Sequence, residues 1–253
     1  MVIKLSQTNT IASQSFHNAW TAAIEFVLTH GTELIFGTPG EGKKAKDSCQ
    51  KIILRGDAIG QIERHETHPQ YKFGGKRLEE YCKEFTSEFL SEYNNKTKES
   101  ERFDYLYYER LKQYRGLSDF EQNGTLNQLE AMSDLLKSQM DSKTASNFNQ
   151  AITWEAERDG MYNTSSPCLQ RIWLRWYEQN IVDVHLSWRS RDLFGAWQSN
   201  LVAIVEMLNR EVIKPNRCQI ARIIDDNDSL HIYDYDLNEA RRVERVPTFH
   251  GVR

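Results

Sequence analysis

Apolar residues recur every three or four positions in four parts of the chain, a spacing that is typical of amphipathic helices. The repeats predict helices at residues 15–30, from about Arg77 to Leu90, at residues 126–140, and from about Leu193 to Asn209. Since each stretch gathers its apolar side chains on one face, each helix is expected to pack against a larger body.

Apolar and polar residues alternate in two neighbouring segments, Leu169–Tyr177 and Ile181–Trp188. The turn-like residues 178–180 between them predict an antiparallel hairpin. Shorter strands are predicted at residues 34–36, 50–54, 148–154, 219–224 and 230–235. Because strands and helices mix without a regular βαβ order, we expect an α+β fold with a mixed, largely antiparallel sheet and flanking helices.

Length and charge narrow the possible functions. The 253 residues are expected to form one domain, residues 1–253, with a sizeable core. The chain has 32 Lys and Arg against 36 Asp and Glu, so no basic field predicts a nucleic-acid partner. No segment approaches the roughly 18 apolar residues of a membrane span. The four cysteines are dispersed without a C-x-x-C pair, so we expect a cytoplasmic protein with neither a metal nor a disulfide framework.

One cysteine stands out by its place in the predicted hairpin. Cys168 follows Pro167 at the start of the first strand, and Arg189 and Asp192 follow the second strand. A cysteine is a nucleophile when its thiolate is accessible, and a nearby guanidinium favours the thiolate by charge attraction. From this pattern alone, a buried structural cysteine is the more common outcome. Glu84, beside the apolar face of its helix, is by the same standard more often a solvated glutamate.

A glycine-rich segment at residues 37–46 carries Lys43, Lys44 and Lys46. Backbone amides and ammonium groups in such a loop can bind a phosphate, although the spacing is not that of a Walker motif. A solvated turn is the alternative interpretation.

Three blocks of the sequence resemble a known family. They are Pro167–Gln170, then Arg189–Asp192 with Trp197 and Asn200 behind it, then His231–Tyr233. In order and spacing the chain resembles the thymidylate synthase and pyrimidine hydroxymethylase family, and most closely its short archaeal-type members. The resemblance covers roughly residues 77–235 and implies a thymidylate synthase-like catalytic domain.

The resemblance implies one-carbon transfer to C5 of a pyrimidine nucleotide, most closely the methylation of dUMP to dTMP. Cys168 would add to C6 of the ring, Glu84 would assist proton movement, and Tyr108 would help to remove the C5 proton. The one-carbon donor would be 5,10-methylenetetrahydrofolate or a related reduced pterin, contacted by Asp192 and Trp197. Asp192 would also anchor the reacting ring, and the enzyme would be a homodimer.

The resemblance also implies the contacts to the nucleotide. Arg189 and Ser190 would bind its 5′-phosphate. His231 and Tyr233 would hold the sugar 3′-hydroxyl, and Gln170 would belong to the same substrate site.

Asn200 bears on which base is bound. A carboxamide can donate to O4 and accept from N3–H of uracil. The cytosine-specific hydroxymethylases of the family have an aspartate at the corresponding place, so the resemblance implies a uracil nucleotide here.

The chain departs from the family pattern at the phosphate site. Asn147 and Phe148 stand where the family has two arginines that reach the partner's phosphate. Charge-assisted bonds of this kind contribute about 1.5–3 kcal/mol each, so compensation is expected from Lys143 or from the lysines of residues 43–46. The C-terminal residues 246–253 do not resemble the closing tail of the bacterial enzymes.

These departures leave two alternatives to a dUMP methylase. One is a uridylate or deoxyuridylate hydroxymethylase, in which water traps the intermediate. The other is a non-catalytic nucleotide-binding homologue, against which the joint presence of Cys168, Asn200 and His231 argues.

Overall fold

The computed structural model describes residues 7–37, 42–95, 105–115, 124–160 and 166–247. Eight strands lie within these ranges: β1 Thr8–Ser13, β2 Thr32–Phe36, β3 Lys43–Arg55, β4 Gln150–Ile152, β5 Leu169–Tyr177, β6 Ile181–Trp188, β7 Arg191–Asp192 and β8 Gln219–Tyr233. The α-helices described are α1 Phe16–His30, α2 Asp57–Glu63, α3 Lys76–Lys83, α4 Ser87–Asn94, α5 Tyr107–Lys112, α6 Gln128–Ser142, α7 Ala156–Asp159, α8 Trp197–Leu208 and α9 Leu237–Ala240.

The strands form one mixed sheet in the order β1-β3-β8-β6-β5-β4, with β2 beside β3 and β7 beside β8. Four of its seven strand pairings are antiparallel, and β1–β3, β6–β8 and β7–β8 are parallel. The helices flank this sheet, as the sequence pattern predicts for an α+β chain. No helix of the described segments is long and apolar enough to cross a membrane.

The predicted hairpin is confirmed as β5 and β6, which pair from Leu169 with Trp188 to Tyr177 with Ile181. Gln179 and Asn180 in the turn have φ values of 66° and 60°, a left-handed conformation that asparagine tolerates better than most residues. At the open end, the Arg189 amide donates to the Cys168 carbonyl at 3.0 Å. The hairpin therefore brings the two predicted segments together.

The prediction of two separate C-terminal strands is wrong, because β8 runs unbroken for 15 residues. Its polar middle, residues 225–229, has the composition of a turn. Asp225 and Asn227 are nevertheless buried. Arg191 donates to Asp225, and Asn227 Nδ2 donates to the Gln50 carbonyl, while Asn227 Oδ1 has no hydrogen-bond partner among the described residues. Polar residues can occupy a buried strand when each has a partner.

The lysine-rich segment is also more regular than expected. Lys43, Lys44 and Lys46 lie in the first part of β3, where they pair with β2, and not in a loop. Residues 38–41 of the predicted glycine-rich loop lie outside the described residues.

The helix predicted over residues 77–90 is divided in two. The chain leaves α3 after Lys83, and the Thr86 side chain caps α4 by accepting from the Phe89 amide at 3.3 Å. Glu84 therefore lies in the break between two helices, not on a regular helical face.

Other boundaries shift by a few residues. The predicted strand 148–154 is formed only at Gln150–Ile152, with Phe148 82% exposed, and α8 begins after a turn at residues 193–196. The pattern missed β1 and α2, because β1 has few large apolar residues and α2 spans only 7.

Candidate active site

A cavity of about 740 Å³ opens where α3, α8, β7 and the end of β8 meet. This volume lies in the range of about 300–1,000 Å³ typical of small-molecule sites. Seven of the residues singled out in the sequence line it: Glu84, Cys168, Ser190, Asp192, Asn200, His231 and Tyr233. The remaining four, Tyr108, Gln170, Arg189 and Trp197, are not among its lining residues.

Cys168 lies partly buried just before β5, beside two tyrosines. The Tyr105 hydroxyl is hydrogen-bonded to the Cys168 side chain and lies 3.4 Å from the Tyr107 hydroxyl. Tyr107 in turn accepts from the Leu169 amide at 3.4 Å. Burial raises the pKa of Tyr105 to about 12 and that of Tyr107 well above its usual value, so both phenols keep their protons beside the sulfur.

Arg189 supports the turn that presents Cys168. Its Nε donates to the Pro167 carbonyl at 3.0 Å and its Nη2 to the Ser166 carbonyl at 2.6 Å. Gln170 assists from the other side, where its amide donates to the Pro167 carbonyl at 2.7 Å. Both residues thus hold the backbone around the cysteine in this structure.

Asn200 lies in the first turn of α8 with both ends of its carboxamide engaged. Its Oδ1 accepts from Arg191 Nε at 3.3 Å, and its Nδ2 donates to the Tyr81 hydroxyl at 2.6 Å. Since a guanidinium can only donate, the contact with Arg191 fixes which end of the amide is oxygen. The orientation of the amide in the cavity wall is therefore set.

Arg191 is the centre of a buried network behind that wall. Its guanidinium pairs with Asp225 at 2.8 Å and lies 3.9 Å from the centre of the Trp188 ring. Trp197 donates from its indole nitrogen to Asp225 at 2.8 Å and accepts from Arg191 Nη2 at its carbonyl. Trp197 therefore contacts the cavity only through its neighbours.

Glu84 lines the cavity without an ion-pair partner among the described residues. Burial raises the pKa of its carboxyl to about 7. A carboxyl in this range can both give and take a proton near neutral pH.

Asp192 is held by a tight turn at the start of the α8 region. Its Oδ1 accepts from the amides of Phe194 and Gly195 at 3.0 and 2.8 Å, and burial raises the pKa of its carboxyl. A Cβ at residue 195 would lie 2.3 Å from Asp192 Oδ2, so only glycine permits this approach.

His231 is buried in the cavity wall and lies opposite Asp192 in the β7–β8 pairing. Burial lowers the pKa of its imidazole to about 4, so the ring is neutral at physiological pH. Its Nδ1 lies 3.4 Å from Ser229 Oγ, while Nε2 has no hydrogen-bond partner among the described residues. An unpartnered buried nitrogen in a cavity wall is suited to a ligand hydroxyl.

Of the lysines expected to compensate for the missing arginines, Lys43 comes near the cavity. Its Nζ lies 5.8 Å from the centre of the Tyr233 ring. Lys46 donates to the Leu28 carbonyl at 3.0 Å instead, and Lys143 is the left-handed cap at the end of α6.

Adjacent tyrosines on α5 point in different directions. Tyr108 donates to Glu211 at 2.8 Å and lies 3.0 Å from Ser87 Oγ, whereas Tyr107 lines the cavity. The structure thus brings Tyr107, and not Tyr108, to the cysteine.

Sequence reasoning overlooked Tyr81, Tyr107, Arg191 and Asp225. Arg191 stands inside the matched block between Ser190 and Asp192, and Tyr81 lies on the helix that leads to Glu84. Asp225 offered no signal, because the sequence pattern predicts a break between two strands at its position.

Known proteins resemble this chain at low sequence identity. Two proteins named "Putative thymidylate synthase", from Methanothermobacter marburgensis (strain Marburg) and Methanothermobacter thermautotrophicus (strain Delta H), are 25% and 24% identical to it over 173 residues. The match covers 68% of this chain and 66% of each relative, slightly less than two thirds of their length. No protein-family model matches the chain. The chain is thus thymidylate synthase-like in sequence over the matched part.

Proposed function

We propose that this protein transfers a one-carbon unit to C5 of a uracil nucleotide, most closely converting dUMP to dTMP, with Cys168 as covalent nucleophile. One observation carries the proposal: Cys168, the block that holds Asp192 and Asn200, and His231 come from three separate parts of the chain and line one cavity. Together they offer a nucleophile, a base-reading amide and a hydroxyl partner. The distant likeness to two proteins named as thymidylate synthases supports the same class.

Recognition of the base would fall to Asn200. Arg191 and Tyr81 each use one hydrogen-bonding position of the amide, which leaves one N–H on Nδ2 and one lone pair on Oδ1. That pair matches O4 and N3–H of uracil. The neutral His231 Nε2 and Tyr233, which line the same cavity, would bind the sugar hydroxyl.

The covalent step would begin at the sulfur. The Cys168 thiolate adds to C6, and the electron pair of the C5–C6 double bond moves through C5 towards O4, where the Asn200 amide stabilises the developing charge. After C5 has bonded to the one-carbon unit, a water held by the protonated Tyr107 hydroxyl would take the C5 proton. The folate nitrogen would leave with the electron pair of its bond to the methylene group, and a hydride from the folate, or water in the hydroxymethylase alternative, would add to that methylene. The electron pair returned to C5 would then expel the Cys168 thiolate and restore the C5–C6 double bond. Glu84 would exchange protons with the ring and with the one-carbon donor.

A reduced folate would occupy the rest of the cavity. The cavity walls include the aromatic rings of Phe73, Phe85 and Trp188, which suit a flat heterocycle, and the Asp192 carboxyl, which suits its N–H groups. Asp192 would hold this co-substrate directly and Trp197 would act through Asp225. 5,10-Methylenetetrahydrofolate supplies the carbon and, for methylation, a hydride.

Product analysis tests the proposal. Purified protein is incubated with dUMP and labelled 5,10-methylenetetrahydrofolate, and the nucleotide is identified by mass. A mass corresponding to dTMP supports methylation. A mass corresponding to 5-hydroxymethyl-dUMP would assign the hydroxymethylase alternative, and unmodified dUMP would favour the non-catalytic one.

The nucleophile is tested by Cys168→Ser, with Cys218→Ser as a matched control. Cys218 is a buried free cysteine outside the cavity. We expect Cys168→Ser to lower turnover by about 10⁴-fold or more, as loss of a covalent nucleophile does elsewhere, while Cys218→Ser keeps parental turnover. Equal rates for Cys168→Ser and the parent would rule out the covalent step.

The homodimer remains a separate prediction, for analytical ultracentrifugation to check.

A further inference from the structure

Three metal-ligating side chains meet outside the active-site cavity. They are His65 in the turn after α2, Cys82 near the end of α3 and Glu206 on α8. Their ligand atoms all lie within 4.8 Å of one another, and His65 Nε2 is 3.1 Å from Glu206 Oε2. Cys82 is buried, whereas His65 and Glu206 are partly exposed beside a cavity of about 300 Å³.

The separations are close to those of a formed metal centre. A tetrahedral zinc ion with Zn–S near 2.3 Å and Zn–N or Zn–O near 2.0–2.1 Å sets its ligand atoms about 3.3–3.6 Å apart. The His65–Glu206 distance of 3.1 Å is slightly shorter than this range and the upper limit of 4.8 Å is longer, so small side-chain movements would bring the three ligand atoms to tetrahedral spacing. Three side chains joined only by hydrogen bonds could be held by pairwise contacts, whereas here all three ligand atoms lie within 4.8 Å of one another.

The ligand types select a class of metal. A thiolate and an imidazole favour zinc and similar transition metals, whereas magnesium and calcium prefer oxygen ligands throughout. With three protein ligands, the fourth position would face the neighbouring cavity, into which Glu63 and Asn209 also project.

Two cations near the cluster have to be weighed against binding. Arg210 and Lys214 line the same cavity. The Arg210 guanidinium is occupied, because Nη2 donates to the Phe85 carbonyl and Nε to Glu211 at 3.3 Å. Because Arg210 is bonded elsewhere, the negative charges of Cys82 and Glu206 would remain available to the metal.

We propose that His65, Cys82 and Glu206 bind a zinc-like divalent ion that ties α3 to α8 behind the active site. On binding, the Cys82 thiol releases its proton to solvent and the sulfur bonds to the metal. Tyr81 and Glu84 flank Cys82 in sequence, and Asn200 lies on the same helix as Glu206. The ion would thus restrain the two helices that carry active-site groups. Sequence spacing alone predicts no metal here, because the three ligands come from separate elements.

Cobalt spectroscopy tests the site directly. The protein is stripped with a chelator and titrated with Co²⁺, and we expect one equivalent to produce a thiolate-to-cobalt band in the near ultraviolet with tetrahedral bands in the visible. Zn²⁺ should displace the cobalt. Cys82→Ser should abolish the thiolate band, and His65→Gln should weaken binding by at least about tenfold, since even outer ligand contacts contribute that much.

The other cysteines provide matched controls. Cys218→Ser and Cys168→Ser should both keep the band, because neither thiol belongs to the cluster. A parent without a thiolate band, an unchanged band in Cys82→Ser, or a band lost in Cys168→Ser would each overturn the proposal.

Thermal unfolding gives a second measurement that does not depend on the cobalt absorption bands. Zn²⁺ should raise the Tm of the parent and of Cys218→Ser, since a ligand of the folded state stabilises it, but not that of His65→Gln. An equal rise in His65→Gln would contradict the assignment. Because the His65 side chain is partly exposed, we expect this variant to fold, and none of these readouts requires the proposed one-carbon transfer.

Discussion

Among the residues that the structure describes, two arginines are buried, and their surroundings differ. Arg191 is 2% exposed and Arg110 is 1% exposed. Arg110 forms a two-bond pair with Asp159 at 2.8 and 2.7 Å and lies 3.1 Å from Glu155. Arg191 has one carboxylate partner, Asp225, and spends its other bonds on a carbonyl and on the amide of Asn200.

The difference is clearest at Nε. Arg110 Nε has no hydrogen-bond partner among the described residues, whereas Arg191 Nε donates to Asn200, which lines the active-site cavity. The Arg110 group ties α5 to α7, and Asp159 accepts from Ser166 just ahead of Cys168. Arg191 therefore contributes to the site, because one of its bonds leads to a side chain in the cavity. Arg110 contributes to stability, because its bonds end on other buried charges.

The largest contrast is expected when each arginine is replaced by methionine. Arg110→Met leaves the buried Asp159 carboxylate without its cation, while Glu155 keeps Arg158 at 3.7 Å; loss of the buried pair should cost about 3–5 kcal/mol of unfolding free energy. Asp225 keeps donors from Trp188, Trp197 and Asn227 at 2.8–3.0 Å, so Arg191→Met should cost about 1–3 kcal/mol. Chemical denaturation of both variants measures the difference.

Kinetics on the folded protein complete that comparison. Below the unfolding range, Arg110→Met should keep the parental KM for dUMP, while Arg191→Met should raise it because the Asn200 amide loses its fixed orientation. Equal effects of the two substitutions on KM would remove the distinction between the two arginines.

How far sequence reasoning reached can be seen at these same residues. The hairpin, and with it the closeness of Cys168 and Asp192, was predictable, because alternation along the chain determines which residues lie at one end of paired strands. Asn200 was singled out by the family resemblance alone. Arg191 and Asp225 were not predictable, because their pairing joins β7 to the middle of a strand that local composition describes as a turn. The direction of Tyr107 depends on how α5 packs, and the meeting of His65, Cys82 and Glu206 depends on three elements at once. Neither leaves a periodic signal in the sequence.

An intermediate effect is expected from Asn200→Asp, which tests whether the Arg191 network presents a base-reading group. The new carboxylate would be ionised beside Arg191 and could only accept hydrogen bonds, so it would lose the donor for uracil O4 and gain an acceptor for the amino group of cytosine. We expect kcat/KM for dUMP to fall by about 10–150-fold, equivalent to about 1–3 kcal/mol, and dCMP to become the better substrate. Unchanged preference for dUMP would mean that Asn200 does not contact the base.

The smallest effect is expected at the other end of the same amide. Tyr81→Phe removes the hydroxyl that accepts from Asn200 Nδ2 at 2.6 Å, at a cost of about 0.5–1.5 kcal/mol. This corresponds to a rise of about two- to tenfold in KM for dUMP. Tyr108→Phe is the matched control, because it removes a hydroxyl bonded to Glu211 on the Arg110 side of the molecule and should leave KM and turnover unchanged. Should Tyr108→Phe slow turnover while Tyr81→Phe does not, the tyrosine predicted from the sequence resemblance would regain its catalytic role, and the orientation of Asn200 would have to be set by Arg191 alone.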